Sequence, residues 1–375
     1  MWVLDVETTT FAKGNPYSLN NKLVCVGLLN VETNESYIFY EEEFDRCQKL
    51  LHEISYMVGF NIKFDISWLR RYFKLNPLLH VWDCQLWDFI NSGQLWKYPS
   101  LDLSCSKKSL GRKLDVVKEE YWNKGIDTDQ VPRKVLSAYL FQDLLLTSKL
   151  FRWQQIRKVP WLTIFDLQCQ DLLILQEMEK NGIYLDLEEI EKRKENASTR
   201  LKEIEQELSE GRELPPQFNF DSGDHLSCFL FGGNITVVDR VPVGVFKTGQ
   251  KVGQTRYKKV EYVYKLDRLV KPLDRYKLKK EGYWATSDEH LLAIKPNKKV
   301  KLILELLKER AVLTKLYDTY YKGFLKMIEE KAWEPNIIHG QLNQCVAATS
   351  RLSATQPNQQ NIPPKMKEVL VSRYD

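Results

Sequence analysis

The first 73 residues alternate between β-forming runs and amphipathic helical segments, and this pattern constrains the fold more than any other feature of the chain. Three runs predict strands, because each is rich in branched and aromatic side chains and lies between turn-forming residues: 2–8 (WVLDVET), 22–30 (KLVCVGLLN) and 35–41 (ESYIFYE). A helical segment at 43–55, an apolar run at 56–60 and a helix through 66–73 follow. The chain therefore predicts an α/β domain with a mixed sheet covered by helices.

Helical periodicity dominates the chain after this region. Residues 133–156 predict a long helix that Pro132 opens, and Pro160 predicts the end of a first domain spanning residues 1–160. Residues 161–375 predict a second, mainly α-helical region. Its helices are predicted at 162–182 (with Gly182 as the C-terminal cap), at 187–208 and at roughly 298–331, and the stretch 234–283 between them has a strand-like, irregular pattern.

Composition excludes several classes of protein. The hydrophobic content of 43% is too high for a disordered chain, and no run approaches the roughly 18 apolar residues of a membrane span. Asp5 and Glu7 exclude an N-terminal signal peptide. The seven cysteines never form a CxxC pair, which disfavours a zinc site and a disulfide framework. We expect an intracellular protein with reduced thiols, without a membrane partner.

Positive charge is concentrated in one block. Residues 234–301 hold 17 Lys and Arg against 7 Asp and Glu, whereas the whole chain has a net charge of only +5. A basic stretch alone is as readily a solvated face as a binding site. Tyrosines interleave with the lysines in residues 255–280, and this favours binding to a polyanion such as a nucleic-acid backbone.

The first predicted strand carries two carboxylates among buried residues. Side chains two apart on a strand share a face, so Asp5 and Glu7 point together while Leu4 and Val6 point the other way. Two such carboxylates repel unless a cation or a basic side chain lies between them, and Mg²⁺ and Mn²⁺ prefer oxygen ligands. A surface pair or a strand-end cap is the more common role of an isolated DxE.

Three further residues change that balance. Asp65 opens a helix just after a short apolar strand, although an acid in a first turn is often only a dipole partner. Tyr139 and Asp143 lie four apart on an otherwise apolar helix and share one face. A hydrogen-bonded buried pair is the ordinary alternative for these two.

The order Asp-x-Glu, Asn-x-x-x-Asp and Tyr-x-x-x-Asp resembles the three motifs of the DEDDy 3′–5′ exonucleases, which have a ribonuclease-H-like fold. The resemblance implies that Asp5, Glu7, Asp65 and Asp143 hold two Mg²⁺ or Mn²⁺ ions, with Asp5 bridging them. It implies that Tyr139 helps to orient the attacking water. In such a pair the ions activate the water and stabilise the leaving 3′ oxygen.

The second half resembles the beginning of the polymerase domain of family A (DNA polymerase I-like) DNA polymerases, of phage type. The segments that carry the resemblance are MEKNGIYLD (178–186), FNFDSGDHLSCFLFGG (218–233), TSDEHLL (286–292), LELLKERAVLTKLYDTYYKGF (304–324) and, most specifically, TSRLSATQPNQQNIP (349–363). They imply a thumb and the start of a palm, hence a part in DNA replication and proofreading.

The family places this last motif in the primer–template cleft. The resemblance implies that Arg351 contacts the primer near its 3′ end and that Asn358, Gln360 and Asn361 lie near the template, whereas a polar structural loop is the alternative. Ser350 stands where the family usually has Gly, and Gln359 where it usually has Leu. The basic stretch 234–283 lacks an alignable counterpart and is expected to be a thumb insertion. Lys258, Lys259, Lys279 and Lys280 are expected to contact duplex phosphates, unless the stretch binds a processivity factor.

The sequence stops before the family's palm carboxylates and its fingers, so we expect no polymerisation by this chain alone. It is either truncated or one half of a split polymerase whose second chain supplies those parts. Asp375 is not expected to substitute for a palm carboxylate. The alternatives are a ribonuclease D-like RNA exonuclease, which the 349–363 motif disfavours, and a non-catalytic DNA-binding subunit. The expected location is the cytoplasm of a bacterial or phage-infected cell.

Overall fold

The computed structural model describes residues 1–372, and these divide into two compact units. The first contains Met1–Ile190 together with the chain from Gly323 onward, and the second contains Glu191–Lys322. The predicted boundary at residue 160 does not coincide with this division. The helix that follows it packs on the first unit, and the chain returns there after residue 322. Asp375, which is not expected to substitute for a palm carboxylate, lies outside the residues that the structure describes.

A five-stranded mixed sheet forms the centre of the first unit. Its strands are β1 (Trp2–Thr8), β2 (Leu23–Asn30), β3 (Ser36–Tyr40), β4 (Tyr56–Gly59) and β5 (His80–Asp83), in the order β3-β2-β1-β4-β5. The first three strands pair antiparallel, with a short turn between β2 and β3 and a longer connection between β1 and β2, whereas β4 and β5 add in parallel. The prediction of a mixed sheet with helices is confirmed, and β1 is its central strand.

Helices cover this sheet because apolar side chains on both sides of the strands must be buried. They are α1 (Phe44–Glu53), α2 (Ile62–Tyr72), α3 (Cys84–Asn91), α4 (Leu101–Lys107), α5 (Val116–Glu120), α6 (Arg133–Gln155) and α7 (Leu162–Asn181). Val3, Leu4 and Val6 of β1 lie in one core with Trp68 of α2 and Trp87 of α3. The predicted helices at 133–156 and 162–182 are confirmed. Gly182 ends α7 at φ 64°, where its N–H donates to the Met178 carbonyl.

Short strands complete the first unit. These are β6 (Ile183–Leu185), β9 (Ile337–Ile338), β10 (Gln341–Asn343), β11 (Ser353–Thr355) and β12 (Leu370–Val371), with the one-turn helix α13 (Pro364–Lys367) before the last. They form a three-stranded sheet, β12-β6-β9, and the separate pair β10-β11. The motif at 349–363 therefore includes a strand and the short 3₁₀ turn Gln359–Asn361.

The second unit is mainly helical, with one long hairpin. Its elements are α8 (Leu187–Ser209), α9 (Gly223–Phe231), β7 (Gly233–Val245), β8 (Thr255–Leu266), α10 (Asp288–Ala293), α11 (Lys298–Thr314) and α12 (Lys322–Lys331), of which α8 and α12 cross its boundaries. A π-helical segment, Lys315–Tyr321, joins α11 to α12. The predicted helix over 298–331 thus forms with a local change of winding, and the basic stretch contains strands as expected.

The seven cysteines are free and buried, as predicted for reduced core thiols. Within residues 1–372, every helix is too short or too polar to cross a membrane.

Candidate functional site

Strand β1 carries Asp5 and Glu7 on one face of the sheet. In the register of β1 with β2, Asp5 lies opposite Gly27 and Glu7 lies opposite Cys25. Asp5 is half-buried, and Glu7 is only 8% exposed. The period of a strand therefore places both carboxylates together in a position with little access to water.

Helix α6 approaches the sheet at this level because Gly27 has no side chain. A Cβ atom on Gly27 would lie 2.8 Å from Leu144 Cδ1 and 2.9 Å from Leu140 Cγ. The close approach brings the neighbouring residue Asp143 to the carboxylates of β1. Carboxylate oxygens of Asp5, Glu7 and Asp143 lie within 4.8 Å of one another. We call these three residues the acidic cluster.

Asp65 is adjacent to the acidic cluster but is not a member of it. Its Oδ1 accepts a hydrogen bond from the Val6 N–H at 3.0 Å, and the side chain is buried. Strand β4 pairs with β1 only at Trp2 and Val3, so this N–H lies past the end of the β1–β4 ladder. Asp65 therefore satisfies the open edge of β1, and its predicted role as a metal ligand stays a prediction.

Tyr139 lies one helical turn before Asp143 on α6 and is 7% exposed. Its ring packs edge-on against Trp122, with centroids 5.9 Å apart. Burial, ahead of the charges of Glu7 and Asp143, raises the pKa of its hydroxyl, so Tyr139 stays neutral at physiological pH. A neutral hydroxyl beside carboxylates can donate a hydrogen bond to one of them or to a water.

Like charges make the acidic cluster unfavourable without a cation. Burial, followed by the charge of Asp143, raises the pKa of Asp5 to about 7. Burial, followed by the charges of Asp5 and Asp143, raises the pKa of Glu7 well above its usual range. Burial also raises the pKa of Asp143, in spite of a nearby ammonium group. Carboxylates with these shifts either share protons or bind cations.

The nearby ammonium group belongs to Lys113, which sequence reasoning did not identify. Lys113 forms an ion pair with Asp143 Oδ2, and its Nζ lies 5.3 Å from the centroid of the Tyr139 ring. The residue lies between α4 and α5, in a segment without helical or strand periodicity. A single lysine in such a segment carries no motif, so only the three-dimensional structure reveals it.

The acidic cluster has the donor set that a hard divalent ion requires. Its ligands are carboxylate oxygens on two rigid elements, β1 and α6. Asp143 Oδ1 is buried and has no hydrogen-bond partner in the described chain. An orphaned buried carboxylate oxygen is costly unless something else coordinates it. These residues therefore fit Mg²⁺ or Mn²⁺.

The predicted template-proximal residues are partly used in local structure. Asn358 Oδ1 accepts from the Gln360 N–H at 3.1 Å, and Gln360 Nε2 donates to the Leu352 carbonyl at 2.9 Å. Asn361 closes the same 3₁₀ turn. These contacts favour a structural role for part of the motif.

Arg351 is exposed and lines an open pocket of about 220 Å³, together with Gln94 and Asp171. Ser350 beside it has φ 57°, in the left-handed region that favours glycine. Ser350 therefore adopts a backbone conformation that glycine adopts more readily than serine.

The predicted basic contacts have two different environments. Lys258 and Lys259 are exposed on β8, where they lie opposite Val241 and Arg240 of β7. Lys279 and Lys280 follow the hairpin, and Lys280 forms an ion pair with Asp224. Lys280 is therefore partly neutralised within the protein, whereas the hairpin β7–β8 holds seven Lys and Arg against two Asp and Glu over residues 233–266.

Comparison with known proteins gives one consistent result. Residues 258–373 match the model of DNA polymerase family A. DNA polymerase I of Bacillus subtilis (strain 168) is 27% identical over 273 residues, which cover 71% of this chain and 26% of that protein. The DNA polymerase of Bacillus phage SP01 is 24% identical over 342 residues, which cover 85% of this chain and 35% of that protein.

A solved structure has a similar fold. The structure described as the POL domain of Pol1 from M. smegmatis in complex with DNA primer-template and dNTP matches with a TM-score of 0.61 and 16% identity, over 98% of this chain and 54% of that one. The chain spans about a quarter to a third of the length of the two sequence relatives. By these matches, the chain is similar to DNA polymerases of family A, whose family model covers residues 258–373.

Proposed function

We propose that residues 1–160 form a metal-dependent 3′–5′ exonuclease of the DEDDy type, with a ribonuclease-H-like fold, that proofreads DNA for a family A polymerase during replication. The observation that carries the proposal is the acidic cluster: Asp5, Glu7 and Asp143 present oxygens within 4.8 Å of one another. Its position on the central strand of a helix-covered mixed sheet supports the fold assignment.

Each residue has a distinct part in this proposal. Asp5, Glu7 and Asp143 hold the ions, and Asp65 fixes the edge of β1 from which two of them project. Tyr139, neutral and beside the carboxylates, orients the attacking water through its hydroxyl. Two bound Mg²⁺ or Mn²⁺ ions would activate that water and stabilise the leaving 3′ oxygen of an in-line displacement.

Residues 161–375 are proposed to bind the primer–template duplex as a thumb and the start of a palm. The exposed lysines of hairpin β7–β8 support contact with phosphates, and exposed Arg351 supports contact near the primer end. A processivity factor is a proposed protein partner. Bacterial and phage relatives support the cytoplasm as the compartment.

The test is Mg²⁺-dependent release of nucleotides from the 3′ end of single-stranded DNA. The double variant Asp5→Ala with Glu7→Ala should lose this release while it keeps DNA binding, because it removes ligands and not the basic surface. The matched control is Asp45→Ala with Glu53→Ala, which removes two exposed carboxylates from α1 and should keep full activity.

The same assay separates the alternatives. RNA of equal sequence degraded faster than DNA would favour the ribonuclease D-like alternative. DNA binding by the unmodified chain without any hydrolysis in Mg²⁺ or Mn²⁺ would favour a non-catalytic subunit. Full activity of the Asp5 and Glu7 double variant would refute the site.

A further inference from the structure

Lys113 is the basic residue in direct contact with the acidic cluster, and the exonuclease proposal gives it no role. Its ammonium group pairs with Asp143 Oδ2 and faces the ring of Tyr139. Its side chain is 29% exposed, whereas that of Asp143 is 3% exposed. The ammonium group thus contacts a buried carboxylate, while part of the Lys113 side chain remains exposed to solvent.

The chain holds Lys113 in this position from two sides. The Lys113 N–H donates to Asp102 Oδ1 of α4 at 2.9 Å. The carbonyl of the preceding residue, Arg112, accepts from Gln142 Nε2 of α6 at 3.0 Å. Gln142 is the neighbour of Asp143, so the segment that carries Lys113 is bound to the helix that carries its partner. A mobile surface lysine would lack these backbone anchors.

The charges of the site indicate what Lys113 does there. The ionised acidic cluster and the ammonium group together have a net charge of −2, which a single divalent ion neutralises. A second divalent ion would give this set a net positive charge while Lys113 remains in place. It would also bind Asp143, whose Oδ2 is paired with Lys113 and whose Oδ1 alone lacks a partner. Two like charges at one carboxylate repel over a few ångströms in a partly buried site.

We infer that Lys113 is a resident cation of the acidic cluster, which competes with the second divalent ion for Asp143 and must leave before that ion binds. The inference rests on the proposed exonuclease site and adds a control on it. One ion binds readily beside Asp5 and Glu7, and the site is completed only where the ion concentration suffices to displace the ammonium group. Lys113 is a positioning residue in this scheme, since it acts on Asp143 and not on the substrate.

The direct test is Mn²⁺ binding to the full chain, measured by calorimetry and by electron paramagnetic resonance. The unmodified protein should bind one ion tightly and a second at least about tenfold more weakly. Lys113→Met keeps the length of the side chain and removes its charge, so the second ion should bind about tenfold more tightly than in the unmodified protein. Lys113→Arg should restore the weak second site.

Two matched variants separate this effect from a general change of charge or stability. Lys118→Met removes an exposed positive charge from α5 and should leave both affinities unchanged. Asp102→Ala releases the backbone of Lys113 and also removes a negative charge near Asp143; the second ion should still bind a few-fold more tightly, because the released ammonium group no longer occupies Asp143 Oδ2. If Lys113→Met does not fold, the affinity of Asp102→Ala for the second ion tests the same inference.

The outcomes distinguish this inference from the proposed function. An unmodified chain that neither binds Mn²⁺ nor releases 3′ nucleotides contradicts the exonuclease itself. A chain that does both, with the same second-ion affinity in the unmodified protein and the folded Lys113 and Asp102 variants, contradicts only the role of Lys113. Loss of both ions in Lys113→Met with full recovery in Lys113→Arg would show that Lys113 holds the site together, and would overturn the competition.

Discussion

Two sets of buried charge, one in each unit of the molecule, differ in how their charges are compensated. In the first unit, three clustered carboxylates face one ammonium group, and a buried oxygen of Asp143 lacks a hydrogen-bond partner. In the second unit, Arg310 is buried, and its guanidinium contacts Glu205 at 2.8 Å and Asp221 at 2.7 Å. Negative charge is in excess in the first set, whereas the guanidinium in the second set is paired with two carboxylates.

The pKa directions follow this difference. Hydrogen bonds from Arg310 lower the pKa of Asp221, so that the folded protein favours the ionised carboxylate. Burial and the neighbouring acid raise the pKa of Asp5, so that the folded protein disfavours its ionised form. The ion pairs of Arg310 therefore stabilise the fold, whereas the acidic cluster lowers the stability of the metal-free protein. A cost of this kind is typical of a binding or catalytic site.

The largest expected effect is on the stability that the ion pairs of Arg310 provide. Arg310→Met should lower the free energy of unfolding by about 2 kcal/mol, because it leaves two carboxylates beside an apolar core, although both are partly exposed and screened. Denaturant unfolding measures this. Arg200→Met is the matched control, since Arg200 pairs with Glu203, Glu207 and Glu309 in more exposed positions, and its loss should destabilise the protein clearly less.

The pH dependence of this loss has a definite sign. A lowered pKa of Asp221 means that the ion pair stabilises the protein above the unfolded pKa of the acid and that this contribution disappears as the pH falls through the folded pKa. The difference between Arg310→Met and the unmodified protein should therefore be constant near pH 7 and shrink below about pH 4. A difference that grows in acid would contradict the pairing.

The next effect is on the rate at the acidic cluster. Tyr139→Phe keeps the packing against Trp122 and removes only the hydroxyl, so the proposed exonuclease should slow by about tenfold and not be abolished. Single-turnover digestion of single-stranded DNA measures this rate. Tyr121→Phe, which removes a hydroxyl from a partly buried tyrosine outside the cluster, is the control and should keep the full rate. An equal loss in both variants would mean that Tyr139 acts through stability.

A smaller effect reverses the usual consequence of mutation. Asp5→Asn removes one of the crowded charges, so the metal-free protein should become more stable by about 1 kcal/mol near neutral pH. A raised pKa costs stability as the pH rises from the unfolded value of 3.8 to the folded value of about 7. The gain should thus be largest above pH 7 and vanish near pH 4.

Thermal unfolding without and with Mg²⁺ tests this prediction. The ion should stabilise the unmodified protein more than Asp5→Asn, because the variant has lost a ligand. Asp45→Asn, an exposed acid on α1, should respond to Mg²⁺ as the unmodified protein does. Destabilisation of the metal-free protein by Asp5→Asn would contradict the claim that the charge of Asp5 lowers stability.

The smallest effect concerns the surface lysines of the second unit. If hairpin β7–β8 contacts duplex phosphates, Lys258→Gln with Lys259→Gln should reduce the salt dependence of DNA affinity by about two units, one for each lost contact. Lys279→Gln with Lys280→Gln should reduce it by about one, because Asp224 already neutralises Lys280. Equal slopes for all proteins would favour a partner-binding role for the hairpin.

Much of the site could be predicted from local pattern. The period of a strand is two and the period of a helix is 3.6, so the shared faces of Asp5 with Glu7 and of Tyr139 with Asp143 follow from their spacing. The cap at Gly182 follows from the preference of a helix end for a left-handed residue. Beyond these local patterns, the family resemblance rests on the order of short motifs along the chain.

Tertiary structure decided the rest, because the contacts involved join residues far apart in the chain. The absence of a side chain at Gly27 admits α6 to the level of Asp5, and this sets the spacing of the acidic cluster. The unpaired Val6 N–H takes Asp65 to the edge of β1, and backbone anchors on α4 and α6 bring Lys113 to Asp143. Local spacing determines which face a side chain occupies, but only the packing of distant segments determines what that side chain meets.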